Sequence, residues 1–150
     1  MPQSLAKLVV HITFSTKDRR PLISPGIREE LNAYISGILK RVDSPSIQVS
    51  CVADHAHILF RLSRTSALAD VVEDIKKGSS AWIKTRGAAF RAFYWQPGYG
   101  AFSVSQSNVA AVREYIAAQE EHHRKISFKD EFLALLKRHE VEFDEQYIWD

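Results

Sequence analysis

The chain has 150 residues and a mass of 17.1 kDa, with 45% hydrophobic and 11% aromatic residues. This length suits one domain over residues 1–150, and the composition excludes a disordered or fibrous protein. A single cysteine, Cys51, excludes a disulfide scaffold and a cysteine-based zinc knuckle, and indicates a reducing compartment such as the cytoplasm. The net charge of +2 makes the chain, by that number alone, a weak candidate for nucleic-acid binding.

The first half of the chain alternates between strand and helix patterns. Residues 8–15 alternate between apolar and polar side chains, which predicts a half-buried strand. Apolar residues at helical spacing predict a helix over residues 25–41. Residues 47–51 and 55–62 alternate again and predict a hairpin with a tight connection at residues 53–54. We expect neither an export signal nor a membrane span, because no segment has the required apolar run.

The second half predicts helices around a short aromatic region. A second helix is predicted over residues 67–84, and the aromatic segment 93–104 predicts a short strand, a turn and an edge segment. Asn108 is a candidate N-cap for a third helix, over residues 108–125, and a fourth is predicted over residues 128–139. The order strand, helix, strand, strand, helix, strand predicts a ferredoxin-like (RRM-like) α+β antiparallel sheet with helices on one face and appended C-terminal helices.

Two histidines on the second strand of the hairpin are candidate metal ligands. His55 and His57 are two residues apart, so both side chains leave the same face of the sheet, with α-carbons ~6.5–7 Å apart. Two imidazoles on one strand can hold a divalent ion, although such a pair is more often an ordinary polar face. The first strand offers a matching polar face with His11, Thr13 and Ser15. We therefore expect this face to be open to solvent or to a ligand.

The third predicted helix adds a possible nucleophile. Tyr115 and Gln119 are four residues apart and project together from a face beside the packing stripe of Val109, Val112 and Ile116. A tyrosine on an amphipathic helix is usually a core or rim residue. Near metal ligands it can instead attack phosphorus, because its hydroxyl, with a pKa of ~10, then has a metal to assist its ionisation or to withdraw charge from the phosphate.

Other titratable residues are weaker candidates. His122 and His123 follow Gln119 and could add ligands, but an acidic and basic run at a helix end is more typical of a solvated terminus. Asp54 could orient an imidazole or serve the hairpin turn, and we favour the turn. His139 has no sequence neighbour that indicates chemistry.

Several segments together resemble a known family. Residues 54–60, Asp-His-Ala-His-Ile-Leu-Phe, resemble the His-hydrophobic-His signature of single-tyrosine HUH transposases, the small enzymes of IS200-like insertion sequences. Residues 10–19, 72–80 and 93–102 are similar to that family's opening strand and basic loop, its second helix and its aromatic segment. Residues 115–119, Tyr-Ile-Ala-Ala-Gln, resemble its catalytic Tyr-Ile-x-x-Gln. Gln119 favours this type over the related transposases associated with repetitive extragenic palindromes.

The resemblance implies a mechanism and partners. It implies that His55, His57 and Gln119 bind Mg²⁺ or Mn²⁺ and that Tyr115, carried by an appended helix, attacks a phosphodiester of single-stranded DNA. The 5′-phosphotyrosine link would conserve the bond energy, so rejoining would need no nucleotide cofactor. It also implies a homodimer that binds hairpin-bearing DNA ends and in which the tyrosine helix of one subunit can complete the histidine pair of the other. Candidate DNA contacts, whose alternative is ordinary solvated surface, are Lys17, Arg19, Arg20, Lys76, Lys77 and Lys84.

The net charge hides an uneven distribution that permits this interpretation. Residues 1–110 carry a net charge of +6 and residues 111–150 carry −4. Two other classes stay open: a non-catalytic or domesticated hairpin-binding protein that stacks bases on aromatics such as Tyr94, and a metallohydrolase that does not need Tyr115. Residues 128–150 extend past the family's minimal core, and we assign them to packing or dimer contacts.

Overall fold

A computed structural model describes residues 2–123 and 125–150, with the side chain of His123 left out. The strands and helices follow in chain order: β1 Leu8–Ser15, α1 Arg28–Arg41, β2 Ser46–Cys51, β3 His55–Leu62, α2 Leu68–Lys84, β4 Gly100–Ser103, α3 Val109–Ala117, α4 Gln119–His123 and α5 Phe128–Arg138. Short 3-10 turns lie at Lys17–Arg19, Pro25–Ile27, Ala88–Phe90 and Gln106–Asn108. None of the helices in these described ranges is long and apolar enough to span a membrane.

The four strands form one antiparallel sheet in the order β2-β3-β1-β4. This order, with two helices connecting the strands, confirms the ferredoxin-like α+β class. β1 and β3 are the central strands and pair along their whole length, from Leu8 opposite Leu62 to Ser15 opposite His55. The sequence predicts the bounds of both strands correctly, because alternation of side chains over eight residues is a strong local signal.

The main core lies between one face of the sheet and helices α1 and α2. Ile12 and Phe14 of β1, together with Ile58 and Phe60 of β3, are fully buried there. These are the residues that the alternation assigns to the core side of each strand. The same alternation therefore predicts that the other residues of β1 and β3 point to the opposite face of the sheet.

The opposite face of the sheet is covered, so the expectation of an open polar face was wrong. Helix α3 packs on β2 and β3, and Ile116 is buried against Val9 and Leu59. Helix α5 packs beside it through Phe128 and Phe132, which join Phe102 of β4 in a second apolar cluster. Helices thus lie on both faces, because the C-terminal helices carry apolar stripes that must be buried somewhere.

Two local predictions also differ from the structure. The predicted helix over residues 108–125 is broken at Ala118, whose dihedral angles of −92° and 14° are not helical, and α4 begins at Gln119. Asn108 ends a 3-10 turn and makes no capping hydrogen bond with its side chain. Residues 93–95 form only a bridge between Trp95 and Thr16, because Pro97 cannot continue a ladder, and β4 begins at Gly100.

Candidate active site

The central strands bring His11, His55 and His57 to the covered face of the sheet. His55 and His57 lie on β3 with ring centroids 5.2 Å apart, and both are at most 1% exposed. His11 lies on β1, and its ring centroid is 5.0 Å from that of His57. The alternation of β3 therefore places both predicted ligands together, at the interface between the sheet and the C-terminal helices rather than in the main core.

Glu131 of α5 completes a buried cluster with the histidine pair. Its Oε1 atom lies 2.7 Å from His57 Nε2 and 3.5 Å from His55 Nε2. One ligand atom from each of the three residues lies within 4.8 Å of the other two. Helix α5 holds Glu131 there because Phe128 and Phe132, one turn apart, anchor it to the sheet.

Gln119 joins the same cluster from the start of α4. Its side-chain oxygen lies 3.1 Å from His55 Nε2, and its amide donates a hydrogen bond of 3.1 Å to Glu131 Oε2. Gln119 is 1% exposed. The structure thus brings together the three residues that the resemblance names as metal ligands, and adds a carboxylate to them.

Tyr115 reaches the cluster from α3. Its hydroxyl donates a hydrogen bond to Glu131 Oε2, and its ring meets His57 edge-on with centroids 5.9 Å apart. His122 lies 3.3 Å from the same carboxylate oxygen, with its Nε2 atom 3.5 Å from the tyrosine hydroxyl. His122 is therefore beside the site rather than at a solvated terminus, whereas the side chain of His123 lies outside the described residues.

Two further side chains orient the histidine rings. Asp54 lies in the hairpin connection, as we favoured, and its Oδ1 atom also lies 2.7 Å from His55 Nδ1, so its carboxylate can orient the imidazole. His11 Nε2 lies 2.8 Å from His57 Nδ1. In both histidines the Nδ1 atom is thus engaged, which turns the Nε2 atom toward the cluster, as in many histidine metal ligands.

Burial sets the protonation of these groups. It lowers the pKa of His11 to about 3, with the nearby His57 adding to the effect, and it lowers the pKa of His57. Burial alone would raise the pKa of Glu131, but hydrogen bonds from His57 and Tyr115 hold it far below its usual range. Burial, and then the hydrogen bond to Glu131, raise the pKa of Tyr115. At neutral pH His11 and His57 are therefore neutral, Glu131 is an anion and Tyr115 is a neutral phenol.

This donor set fits a divalent cation. His55, His57, Gln119 and Glu131 offer imidazole nitrogen, amide oxygen and carboxylate oxygen, which are ligands that Mn²⁺ and related ions accept. The buried carboxylate supplies a negative charge for which a cation is the natural partner. These four residues would hold the ion.

The six basic residues predicted to contact DNA lie in two places. Lys17, Arg19 and Arg20 form the loop after β1, where Lys17 and Arg20 are exposed and the Arg19 guanidinium lies 5.3 Å from the Trp149 ring centroid. The other three, Lys76, Lys77 and Lys84, lie on α2. Lys17, Arg20 and Lys77 are exposed, whereas Arg19, Lys76 and Lys84 are half-buried.

The three lysines of α2 differ in their contacts. Lys84 lies 4.2 Å from the ring centroid of Tyr94, and Lys77 pairs with Glu73 one turn earlier. Lys76 donates three hydrogen bonds to carbonyl oxygens of residues 96–98, at 2.8, 3.1 and 2.7 Å, and burial lowers its pKa to about 8. Lys76 therefore holds the segment that precedes β4.

Glu131 is the site residue that sequence reasoning missed. It lies in the first turn of α5, where Asp130 also lies and where acidic residues are common because they interact favourably with the helix dipole. Ser127 caps this helix and so explains why α5 begins there. The cap does not explain why Glu131, rather than Asp130, enters the site. Only the packing of α5 on the sheet distinguishes Glu131 from its neighbour.

The chain is similar to transposases in sequence and in structure. A family model described as transposase IS200 like matches residues 4–119. A candidate transposase from Deinococcus radiodurans R1 superposes with a TM-score of 0.62 at 20% identity, covering 79% of this chain and 98% of the other.

A second solved structure, a REP-associated tyrosine transposase bound to a REP hairpin, gives a TM-score of 0.60 at 14% identity. The match covers 84% of this chain and 74% of the other. No curated protein matches the sequence. At these identities the two structures support the fold alone, whereas the family model also covers the site residues from His55 to Gln119. Glu131 and α5 lie beyond the matched residues.

Proposed function

The chain belongs to the IS200-like transposase family, and from this premise we propose that it is a metal-dependent endonuclease and strand transferase for single-stranded DNA. The observation that carries the proposal is the meeting of Tyr115 with His55, His57 and Gln119 in one buried cluster. A lone tyrosine or a lone histidine pair would not indicate this chemistry, whereas their convergence from separate elements supports it.

In the proposed cleavage step, the Tyr115 oxygen attacks the phosphorus of a phosphodiester. As the tyrosine oxygen bonds to phosphorus, its proton becomes strongly acidic and passes to Glu131 Oε2, to which the hydroxyl already donates. A bond forms between the tyrosine oxygen and phosphorus, and the bond between phosphorus and the 3′-oxygen breaks, so that the 3′-oxygen leaves and takes up a proton from water. A divalent ion, when bound, would withdraw charge from the scissile phosphate.

The proposed product explains why strand transfer needs no nucleotide cofactor. The 5′-phosphotyrosine link keeps the energy of the broken bond, and a free 3′-hydroxyl can attack it, giving its proton to water, to release Tyr115 and rejoin DNA. Glu131 then returns the proton to the tyrosine oxygen. The two oxygens of Glu131 have different proposed roles. Oε1 faces His57 and would contact the ion, whereas Oε2 faces Tyr115 and would exchange the proton.

We propose that the DNA carries hairpins, as does the DNA bound by the REP-associated relative. The excess of positive charge in residues 1–110 supports this substrate. The contacts would come from the loop at residues 17–20 and from Lys77 and Lys84 of α2. Lys76 would act by holding residues 96–98, since its donors already face carbonyl oxygens. The activity would be cytoplasmic, because cellular DNA lies there and because a free thiol such as that of Cys51 stays reduced there.

Within one chain, Tyr115 lies beside His57 and Glu131 contacts it, which supports a site assembled within a single subunit. Joining two element ends nevertheless needs two tyrosines. We therefore propose a homodimer in which each subunit cleaves one end. Sedimentation of the chain with and without hairpin DNA tests this stoichiometry, and a monomer under both conditions contradicts it.

Two other functions are less well supported. A base-stacking module would present aromatics on an open sheet face, but α3 and α5 cover the face that carries His11 and Thr13, and the exposed Tyr94 lies outside the sheet. A hydrolase that activates water would not need the phenol of Tyr115, which instead contacts the carboxylate of the cluster. Both arguments favour a tyrosine nucleophile.

The decisive experiment detects the covalent link. The chain is incubated with Mn²⁺ and labelled DNA that carries a hairpin with randomised single-stranded flanks, and the products are run on a denaturing gel. We expect a labelled protein band from the wild type and from the control Tyr147→Phe, whose tyrosine is exposed, but none from Tyr115→Phe or with a chelator. An adduct in Tyr115→Phe, or cleavage without any adduct, would overturn the proposal.

A further inference from the structure

A cavity of about 380 Å³ lies between α3, α5 and the edge of the sheet at β4. Tyr115 and Glu131 form part of its wall, so the proposed nucleophile faces this space. Its size lies within the range of small-ligand sites and suits one nucleotide rather than a duplex. The cavity is therefore the space next to the tyrosine that a single strand can enter.

The walls of the cavity combine apolar surface with a few polar groups. Ala111 and Val112 of α3 face Ala134 of α5, while Ser103 and Asn108 supply hydrogen-bonding groups. Small apolar residues leave room for a flat ring, and isolated polar groups can satisfy its edges. This chemistry suits a nucleobase that is separated from its neighbours.

Arg138, in the last turn of α5, supplies a positive charge to the same cavity. Tyr115 lines the same cavity, so the side chains of Arg138 and Tyr115 border one space. In the part of the chain that the structure describes, Arg138 forms neither an ion pair nor a side-chain hydrogen bond. Its five donors are thus available to an anion, and guanidinium groups match phosphate oxygens in a bidentate manner.

We propose that this cavity receives the nucleotide next to the scissile phosphate and that Arg138 binds a non-bridging oxygen of that phosphate. The proposal rests on the proposed function and assigns a substrate contact to α5, beyond the residues 4–119 that the family model matches. Arg138 would steady the phosphate opposite Tyr115 and stabilise the negative charge that increases there during attack.

Lys137 provides a matched control for Arg138. It is the preceding residue of α5, it is exposed and carries the same charge, and it does not line the cavity. Two readouts apply to Arg138→Ala, Arg138→Lys and Lys137→Ala. The first is the rate of adduct formation with Mn²⁺ and the flank-randomised hairpin DNA. The second is the affinity of the same variants, carrying Tyr115→Phe, for that DNA over a range of salt concentrations.

For Arg138→Ala we expect a rate of adduct formation at least about tenfold lower, since a positioned charge near the reacting phosphate is lost. The slope of log affinity against log salt should become shallower by about 0.7, the value for one phosphate contact on a single strand. Arg138→Lys should recover part of the rate, because it keeps a donor and the charge. Lys137→Ala should change the rate less than about twofold, and thermal unfolding should show that all variants are folded.

Equal rates and equal salt slopes for Arg138→Ala and Lys137→Ala would overturn the inference while leaving the proposed function intact, provided that the wild type forms the adduct. If the wild type forms no adduct, the proposed function fails. The DNA affinities of the variants then still test whether Arg138 contacts a phosphate. A loss of affinity confined to Arg138→Ala supports a phosphate contact in that case, and unchanged affinity overturns it.

Discussion

Glu131 accepts a hydrogen bond from the hydroxyl of Tyr115 on one carboxylate oxygen, while its other oxygen lies 2.7 Å from His57 Nε2. The candidate nucleophile and the candidate metal ligands are therefore linked through one residue of α5. Because α5 lies outside the residues that the family model matches, this chain supplies the link from its own C-terminal segment. That segment, which the sequence assigned to packing or dimer contacts, contributes to the site as well as to packing.

We predict that Glu131→Gln weakens Mn²⁺ binding by at least about tenfold. The substitution keeps the size of the side chain but removes the negative charge that the cluster offers to a cation. Calorimetric titration of the protein with Mn²⁺ measures the effect. The control Asp130→Asn removes the same charge from the neighbouring, exposed position of α5 and should leave the affinity within about twofold.

An unchanged affinity in Glu131→Gln would show that the carboxylate is not a ligand. The ion would then be held by His55, His57 and Gln119 alone, as the family resemblance implies. If Glu131→Gln and Asp130→Asn weaken binding equally, the effect is one of general charge around α5 rather than of coordination.

We predict that Asp54→Ala weakens Mn²⁺ binding by about 10- to 100-fold, because the carboxylate that orients the His55 ring is lost. The fold should tolerate the change, since the Asp54 carbonyl, which accepts a backbone hydrogen bond from Thr16, remains. The same titration applies, with Asp74→Ala on the exposed side of α2 as the control. Equal affinities for the two variants would contradict the orienting role.

Local patterns predict the sheet and the histidine pair well. The bounds of β1 and β3, and the face to which His55 and His57 point, follow from alternation along each strand. The convergence of Tyr115 and Gln119 on those histidines depends on the family resemblance, since periodicity places both residues on a helix but does not dock that helix.

The remaining features arise from contacts between distant segments. Glu131 and Asp130 are equivalent as local helix signals, and only the packing of Phe128 and Phe132 turns one of them inward. The covered sheet face was mispredicted for the same reason, because polar residues such as Thr13 look solvated until a helix buries them. Thr13 is buried with its hydroxyl donating to the Ala56 carbonyl, a partner that the sequence alone does not reveal.

We predict that Gly100→Ala loosens α5. A β-carbon at Gly100 would lie well inside contact distance of the Phe132 ring, so β4 and α5 would have to separate. We expect a loss of about 1–3 kcal/mol in the free energy of unfolding, together with faster hydrogen exchange in α5. The control Gly37→Ala lies in α1 with open space around it, and we expect it to stabilise the protein by about 0.5–1 kcal/mol. Unaltered exchange in α5 would show that this close approach does not hold the helix.

We predict that the metal-free protein loses stability as the pH falls from about 6.5 toward 3. Burial lowers the pKa of His11 to about 3 from an ordinary 6.5, so over this range the unfolded chain binds a proton that the folded chain excludes. His57 shifts in the same direction. The free energy of unfolding, measured with denaturant and a chelator present, should fall by a few kcal/mol. In His11→Gln, which keeps a hydrogen-bonding side chain without this titration, the fall should be smaller. Identical pH profiles for this variant and the wild type would contradict a buried, neutral His11.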